Sequence, residues 1–182
     1  MNENARESAP VVKTKRKRRW HWILLIIIIV LGPYIYSRLQ APGRRVRLVE
    51  SENIISAPAF AGGLKIATYN IAHGRGTADG NWSESSQPKI ERIQAVAKQL
   101  KTINADIVVL NEVDFSATWS GHHNQAEAIA IAAGYRYRVE QRNLDFRFLY
   151  GSFKFGNAIL SRYPIANADV IDFPPEYEWE SW

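Results

Sequence analysis

Two polar side chains, Asn70 and Glu112, each close a strand-like apolar run, Leu64–Gly74 (LKIATYNIAHG) and Ala105–Asp114 (ADIVVLNEVD). In an open α/β sheet the place just beyond a strand's carboxyl end faces the ligand crevice. A glutamate buried there is costly unless its charge is paired or bound to a cation, and hard divalent cations prefer carboxylate oxygen. An asparagine adds an amide that can donate to a phosphate, or orient a ligand, without adding charge. His73 stands beside the same crevice and could touch a phosphate, although a loop histidine next to glycine also reads as simply exposed. Asp114 reads as a surface acid or as a carboxylate behind Glu112, with the surface favoured.

The elements that must position these groups are legible in the pattern. Leu64–Ile71 reads as a buried strand that ends at the turn-like His73-Gly74-Arg75-Gly76. Pro88–Lys101 places Ile90, Ile93, Ala97 and Leu100 on one helical face, with Ser85, Ser86 and Pro88 as start signals. Asp106–Val113 is a second apolar run. A β-loop-α-β unit of this kind favours parallel strands joined by a right-handed crossover, which brings Asn70 and Glu112 to one edge of the sheet. Asn124–Ala133 reads as a further helix capped by Gly134, and His122-His123 as the loop before it, since adjacent histidines lack metal-ligand spacing. Gly156-Asn157 suits a turn entering a strand, and Arg162 faces either substrate or solvent.

Thr68-Tyr69-Asn70-Ile71, Asn111-Glu112-Val113 and Gly156-Asn157-Ala158-Ile159-Leu160-Ser161-Arg162-Tyr163-Pro164, in that order and around that helix, resemble the endonuclease/exonuclease/phosphatase (DNase I-like) superfamily. The likeness runs from about Leu64 to Ile171 and covers the first half of such a domain. It implies a DNase I-like four-layer α/β sandwich, incomplete here, in which Glu112 coordinates Mg²⁺ or Mn²⁺ while Asn70 helps hold the phosphate and the metal-site geometry. Asn157 and Arg162 belong to the third motif, and Asn157, Arg162, His73 and Asp114 are the subsidiary site candidates. Some members carry Asp two residues after the asparagine, where this chain has Ala72. The resemblance also implies an Asp-x-Asn segment and a final Asp-His pair that act in the second half. Neither follows Arg162, where the sequence runs ANADVIDFPPEYEWESW, so a general base and part of the metal shell are expected to be missing. Half of such a sandwich should leave the inner sheet face and an edge strand uncovered, with poor solubility or dependence on a partner.

Composition narrows the class. The chain has 182 residues, 46% of them hydrophobic, and no cysteine, which excludes disulfides and thiolate chemistry. Its formal charge of +5 is unevenly spread. Met1–Arg47 holds 11 of the 23 Lys and Arg against two acids, whereas Leu48–Trp182 has 12 basic and 16 acidic residues, a net of −4. A broad electrostatic footprint for nucleic acid is therefore not expected of the globular part.

Lys13–Arg19 (KTKRKRR) runs into Trp20–Tyr36 (WHWILLIIIIVLGPYIY), a short aliphatic run flanked by aromatic residues. This reads as an uncleaved signal anchor; Ser37–Gly43 offers no small-x-small cleavage site. Seven Lys and Arg precede the run and four follow it closely, which places the N-terminus in the cytoplasm and the domain outside. The expected organisation is a basic tail over 1–19, a transmembrane segment over 20–37, a linker over 38–63 and the half-domain over 64–182. Asn81-Trp82-Ser83 fits a glycosylation sequon, and Tyr177–Trp182 reads as core-facing sequence. The expected function is a membrane-tethered, divalent-metal-dependent phosphoester hydrolase acting on a lipid headgroup or small phosphoester. A nuclease of the same superfamily, and a catalytically inactive membrane-bound fragment or interaction module, are the alternatives.

Overall fold

A computed structural model describes residues 17–40, 45–55, 59–60, 62–148 and 151–171. Most of the basic tail and the aromatic Tyr177–Trp182 segment lie outside the described residues. Helix α1, Lys17–Gln40, has 24 residues, about 36 Å at 1.5 Å per residue. It runs a few residues past the expected segment at both ends and contains Pro33. Its Trp20–Leu39 stretch is almost wholly exposed and is long and apolar enough to cross a membrane.

The remaining elements are β1 (Val46–Glu50), β2 (Ile66–Asn70), α2 (Ser86–Ile103), β3 (Ile107–Asp114), α3 (Gln125–Ala133), β4 (Tyr137–Phe148) and β5 (Gly151–Ser161). The five strands form one sheet in the order β1-β4-β5-β3-β2. β2 and β3 are parallel, as a β-α-β unit requires, with Asn70 opposite Asn111. The β3–β5, β5–β4 and β4–β1 pairs are antiparallel. Within 38–63, read from sequence as linker, Val46–Glu50 is thus a sheet strand, and Arg136 secures its end by an ion pair to Glu50 and a hydrogen bond to the Ile54 carbonyl.

One face of the sheet is covered. Ile93, Val96, Ala97 and Leu100 of α2 recur at i, i+3, i+4 and i+7, as do Ala126, Ile129, Ala130 and Ala133 of α3. Both stripes meet Val108 and Leu110 of β3 and Ala158 and Leu160 of β5, which alternate with period two. Gly134, in the left-handed region at φ 83°, ends α3 as expected. Among the described residues no helix covers the other face. There Ile107, Val109, Val139 and Ile159 line an apolar groove of about 1030 Å³, edged by Phe60 and Tyr163. The described residues thus supply one sheet layer and one helix layer.

Two expectations need correction. Among the described residues β2 is an edge strand with a neighbour on one side only, and apart from Ala67 its residues are exposed rather than buried. Gly156-Asn157 is no turn; it lies inside β5, where register shifts in both neighbouring strands, between Leu110 and Val113 and between Arg142 and Leu144, converge. A Cβ on Gly156 would run into the Gln141 carbonyl, with Arg142 Cα and Asn143 N also in contact. The position admits only glycine because the β4 backbone bulges against it.

Candidate active site

The bulge in β3 shapes the site. Between the ladder positions of Leu110 and Val113, two residues of β3, Asn111 and Glu112, face the single Asn157 of β5, and Glu112 adopts φ 55°. A non-glycine residue at positive φ is held there by its surroundings at some local cost, and such strain clusters at functional sites. The bulge re-aims Glu112 while Asp114, two residues on, rejoins the ladder opposite Phe155.

Asn70 ends β2 next door. Its Nδ2 donates to Glu112 Oε1 at 2.8 Å, while its Oδ1 accepts the Ala72 N–H at 2.8 Å. One side chain therefore both closes its own turn and orients the glutamate. The turn beyond is left-handed throughout, with φ of 48° at Ala72, 56° at His73 and 74° at Gly74. Arg92 Nη1 donates to the Gly74 carbonyl and Gln125 Nε2 to the His73 carbonyl, which fixes this strained turn from behind.

His73 is buried rather than exposed, and its ring stands between two carboxylates. Nδ1 lies 2.8 Å from Asp114 Oδ1, and Nε2 lies 3.9 Å from Glu112 Oε2. A carboxylate only accepts, so Nδ1 donates and Nε2 is the nitrogen turned toward Glu112. Asp114, for which the sequence favours the surface, is wholly buried. Its Oδ2 accepts from Trp119 Nε1 at 2.8 Å, and its backbone N–H donates to Gln125 Oε1 at 3.0 Å. Both carboxylate oxygens are thereby occupied, which is what a buried charge requires.

The other candidates fall elsewhere. Asn157 donates to Gln141 Oε1 at 3.0 Å and lines the apolar groove on the open face. Arg162 lies at the opposite sheet edge, with its guanidinium over the Tyr135 ring and its N–H on the Asp106 carbonyl, so it faces neither the Asn70–Glu112 crevice nor solvent alone. His122 and His123 are exposed in the loop before α3, as read from sequence. Asn81 of the sequon is half-buried, with Oδ1 enclosed.

Sequence reasoning missed Gln125, Trp119 and Lys89. The buried Lys89 ammonium donates to the Asn81 and Trp119 carbonyls, and loss of hydration pushes its pKa below the usual lysine value. A lysine inside an otherwise amphipathic helix carries no mark of burial, and Gln125 reads as an ordinary first-turn residue. A lone tryptophan in a polar loop is the one signal available, because a buried indole N–H needs an acceptor.

A hard cation fits this set only in part. Glu112 has a half-exposed carboxylate with Oε2 left open to the crevice, a suitable single ligand for an ion that keeps several waters. Among the described residues no group of three or more His, Asp or Glu is arranged to hold a metal. Glu112 and Asn70 are the residues that would hold one; Asp114 is spent on His73 and Trp119.

The model of the endonuclease/exonuclease/phosphatase family matches residues 67–180, which include all three motifs and the whole Asn70–Glu112–His73–Asp114 constellation. No curated protein and no solved structure matches the chain. The mixed α/β architecture agrees with an incomplete DNase I-like fold, and enzymes built on it generally use divalent metals. From the match, the motifs and the strand-end placement of Asn70 and Glu112 together, the chain belongs to the endonuclease/exonuclease/phosphatase family.

Proposed function

We propose that the chain supplies the phosphate- and metal-binding half of a membrane-tethered phosphoester hydrolase that acts with Mg²⁺ or Mn²⁺ on a lipid headgroup or small phosphoester. The observation that carries this reading is the Asn70–Glu112 pair, two side chains from neighbouring parallel strands held at 2.8 Å, with the other carboxylate oxygen 3.9 Å from His73 Nε2 on a half-exposed side chain. A divalent cation bound there would draw charge from a phosphoryl oxygen. Glu112 offers it Oε2, Asn70 keeps the carboxylate from rotating, and the strained turn holds the buried His73 ring beside that oxygen. The net charge of −4 over Leu48–Trp182 supports a small or lipid phosphoester over duplex nucleic acid. The apolar α1 supports the tether, and the surplus of basic residues ahead of it supports a cytoplasmic N-terminus with the domain on the other side.

The test is hydrolysis of bis-p-nitrophenyl phosphate by the full chain in detergent, with and without Mg²⁺ or Mn²⁺, together with Mn²⁺ binding followed by electron paramagnetic resonance. Glu112→Gln keeps the acceptor for Asn70 and removes the charge. It is expected to weaken Mn²⁺ binding by roughly tenfold or more, the range over which even outer-shell changes act. Equal Mn²⁺ affinity in both proteins would refute the assignment of Glu112. Metal binding without hydrolysis would support the inactive-module alternative for this chain.

A further inference from the structure

The aromatic side chains of the domain are not scattered. Tyr34, near the end of α1, meets Phe146 edge-on at 5.7 Å; Phe146 stacks on Phe153 at 4.9 Å; Phe153 meets Trp119 at 5.7 Å; and Trp119 meets His73 at 6.2 Å. Four ring contacts therefore lead without a gap from the apolar helix to the candidate site. Phe155 fills the inner corner against both Trp119 and His73. Trp82 forms the outer end, 5.7 Å from Trp119 and 65% exposed.

The topology explains why the path is short. β5 is antiparallel to β3, so its first residues lie beyond the carboxyl end of β3, at the edge that carries Asn70, Glu112 and Asp114. The β4–β5 hairpin projects past that edge, and there α1 packs on the end of β4. Ser37 of α1, itself buried, accepts the Arg147 N–H at 3.1 Å. Helix and site therefore share one end of the domain. Tyr34 and Tyr36 occupy the last turns of the apolar stretch, the depth at which aromatic rings mark the headgroup level of a bilayer.

We infer that the edge bearing Trp82 and Trp119 rests on the headgroup layer of the membrane that holds α1, with Trp82 inserted, so that the site takes its phosphoester from the plane of that membrane. This rests on the tether proposed above and names the direction from which substrate arrives. Trp82 is suited to the interface because its ring is apolar and its N–H polar. The loop is also braced for it: the buried Lys89 ammonium ties the carbonyl of Asn81 to that of Trp119, which keeps both indoles together on one side. A leaflet is favoured over a protein partner because an element of this same chain, apolar and exposed, already leads to the patch.

Since the chain has no cysteine, single positions can be labelled cleanly. Trp82→Cys, Ile27→Cys and Lys101→Cys, each in the full chain, carry an environment-sensitive fluorophore in vesicles of phosphatidylcholine with a minority of phosphatidylglycerol. Lipids bearing a spin-label quencher near the headgroup or deep in the chains then report depth. The label at position 82 is expected to lose most of its emission to the shallow quencher, that at 27 to the deep one, and that at 101, on the opposite end of the domain, to neither. An unquenched label at 82 beside a quenched one at 27 would overturn the docking and leave the tether standing. An unquenched label at 27 would overturn both. Tyr34→Ala combined with Ser37→Ala should reduce quenching at 82, and unchanged quenching would show that the hairpin contact does not set the orientation.

Discussion

Replacing Asp114 tests the site's internal wiring most directly. The carboxylate is wholly buried and satisfies two donors at 2.8 Å, Nδ1 of His73 and Nε1 of Trp119. Asp114→Ala strands both, and each orphaned donor costs about 1–3 kcal/mol, so the expected loss is roughly 2–6 kcal/mol before any relaxation. Against a stability of about 5–15 kcal/mol that is a large fraction, equivalent to a fall in Tm of roughly 4–24 °C at about 2–4 °C per kcal/mol for a chain of this size. Asp114→Asn behaves differently. Asp114 meets its two donors with separate oxygens and the amide keeps only one of them; the indole has no alternative to donating, so that oxygen goes to Trp119. The amide N–H then faces His73, whose ring accepts it by moving its proton from Nδ1 to Nε2. Stability should therefore fall by only about 1 kcal/mol, the net worth of an ordinary hydrogen bond, while the ring's remaining proton sits on Nε2, toward Glu112. Thermal unfolding of the full chain in detergent by near-ultraviolet circular dichroism, which sees Trp119, measures the first effect; histidine ¹⁵N shifts measure the second. Two equally damaging substitutions, or an Ala variant within about 1 kcal/mol of the parent, would refute this reasoning.

Three further outcomes follow from the packing. Gly156→Ala drives a Cβ into the Gln141 carbonyl, so the two bulges must shift; the expected cost is about 1–3 kcal/mol or more by denaturant titration, with weakened Mn²⁺ binding because the β3 bulge carries Glu112. Asn70→Ala, at an exposed position, should cost only about 0.5–1.5 kcal/mol while freeing Glu112 to rotate, and is read as a larger effect on metal affinity than on Tm. Burial alone would push the Glu140 pKa up, yet the bonds from Asn124, Arg138 and Arg142 hold it below the ordinary carboxylate range. Its contribution to stability is accordingly full above the unfolded carboxylate value and disappears as pH falls through the lower folded value; a Glu140→Gln chain should show a flatter acid limb of the stability curve.

The sequence announced the elements that follow simple periodicity. The α2 stripe, the α3 span with its Gly134 cap and the parallel β2–β3 pair are readable because spacing of 3.6 or 2 and a left-handed stop are local properties. β1 was not, since five residues without strong alternation gain strand character only by pairing with β4, nearly a hundred residues away. Asn70 and Glu112 were found through motif order, and the structure adds why they meet: a bulge that no local pattern signals. Asp114 reads from sequence as a surface acid because its burial depends on Trp119 and His73, two partners brought close only by the fold.

The strand order also governs assembly during synthesis. β1 and β2, made first, occupy the two outer positions, while β5, made last of the five, lies between β3 and β4. A growing chain can pair β2 with β3 but cannot join that pair to β4 until β5 has emerged to bridge them. Until then two unfinished patches coexist in the nascent chain, each with open backbone groups. Loss of even the last few residues of β5 would therefore be felt across the sheet, whereas loss of β1 would strip only a margin.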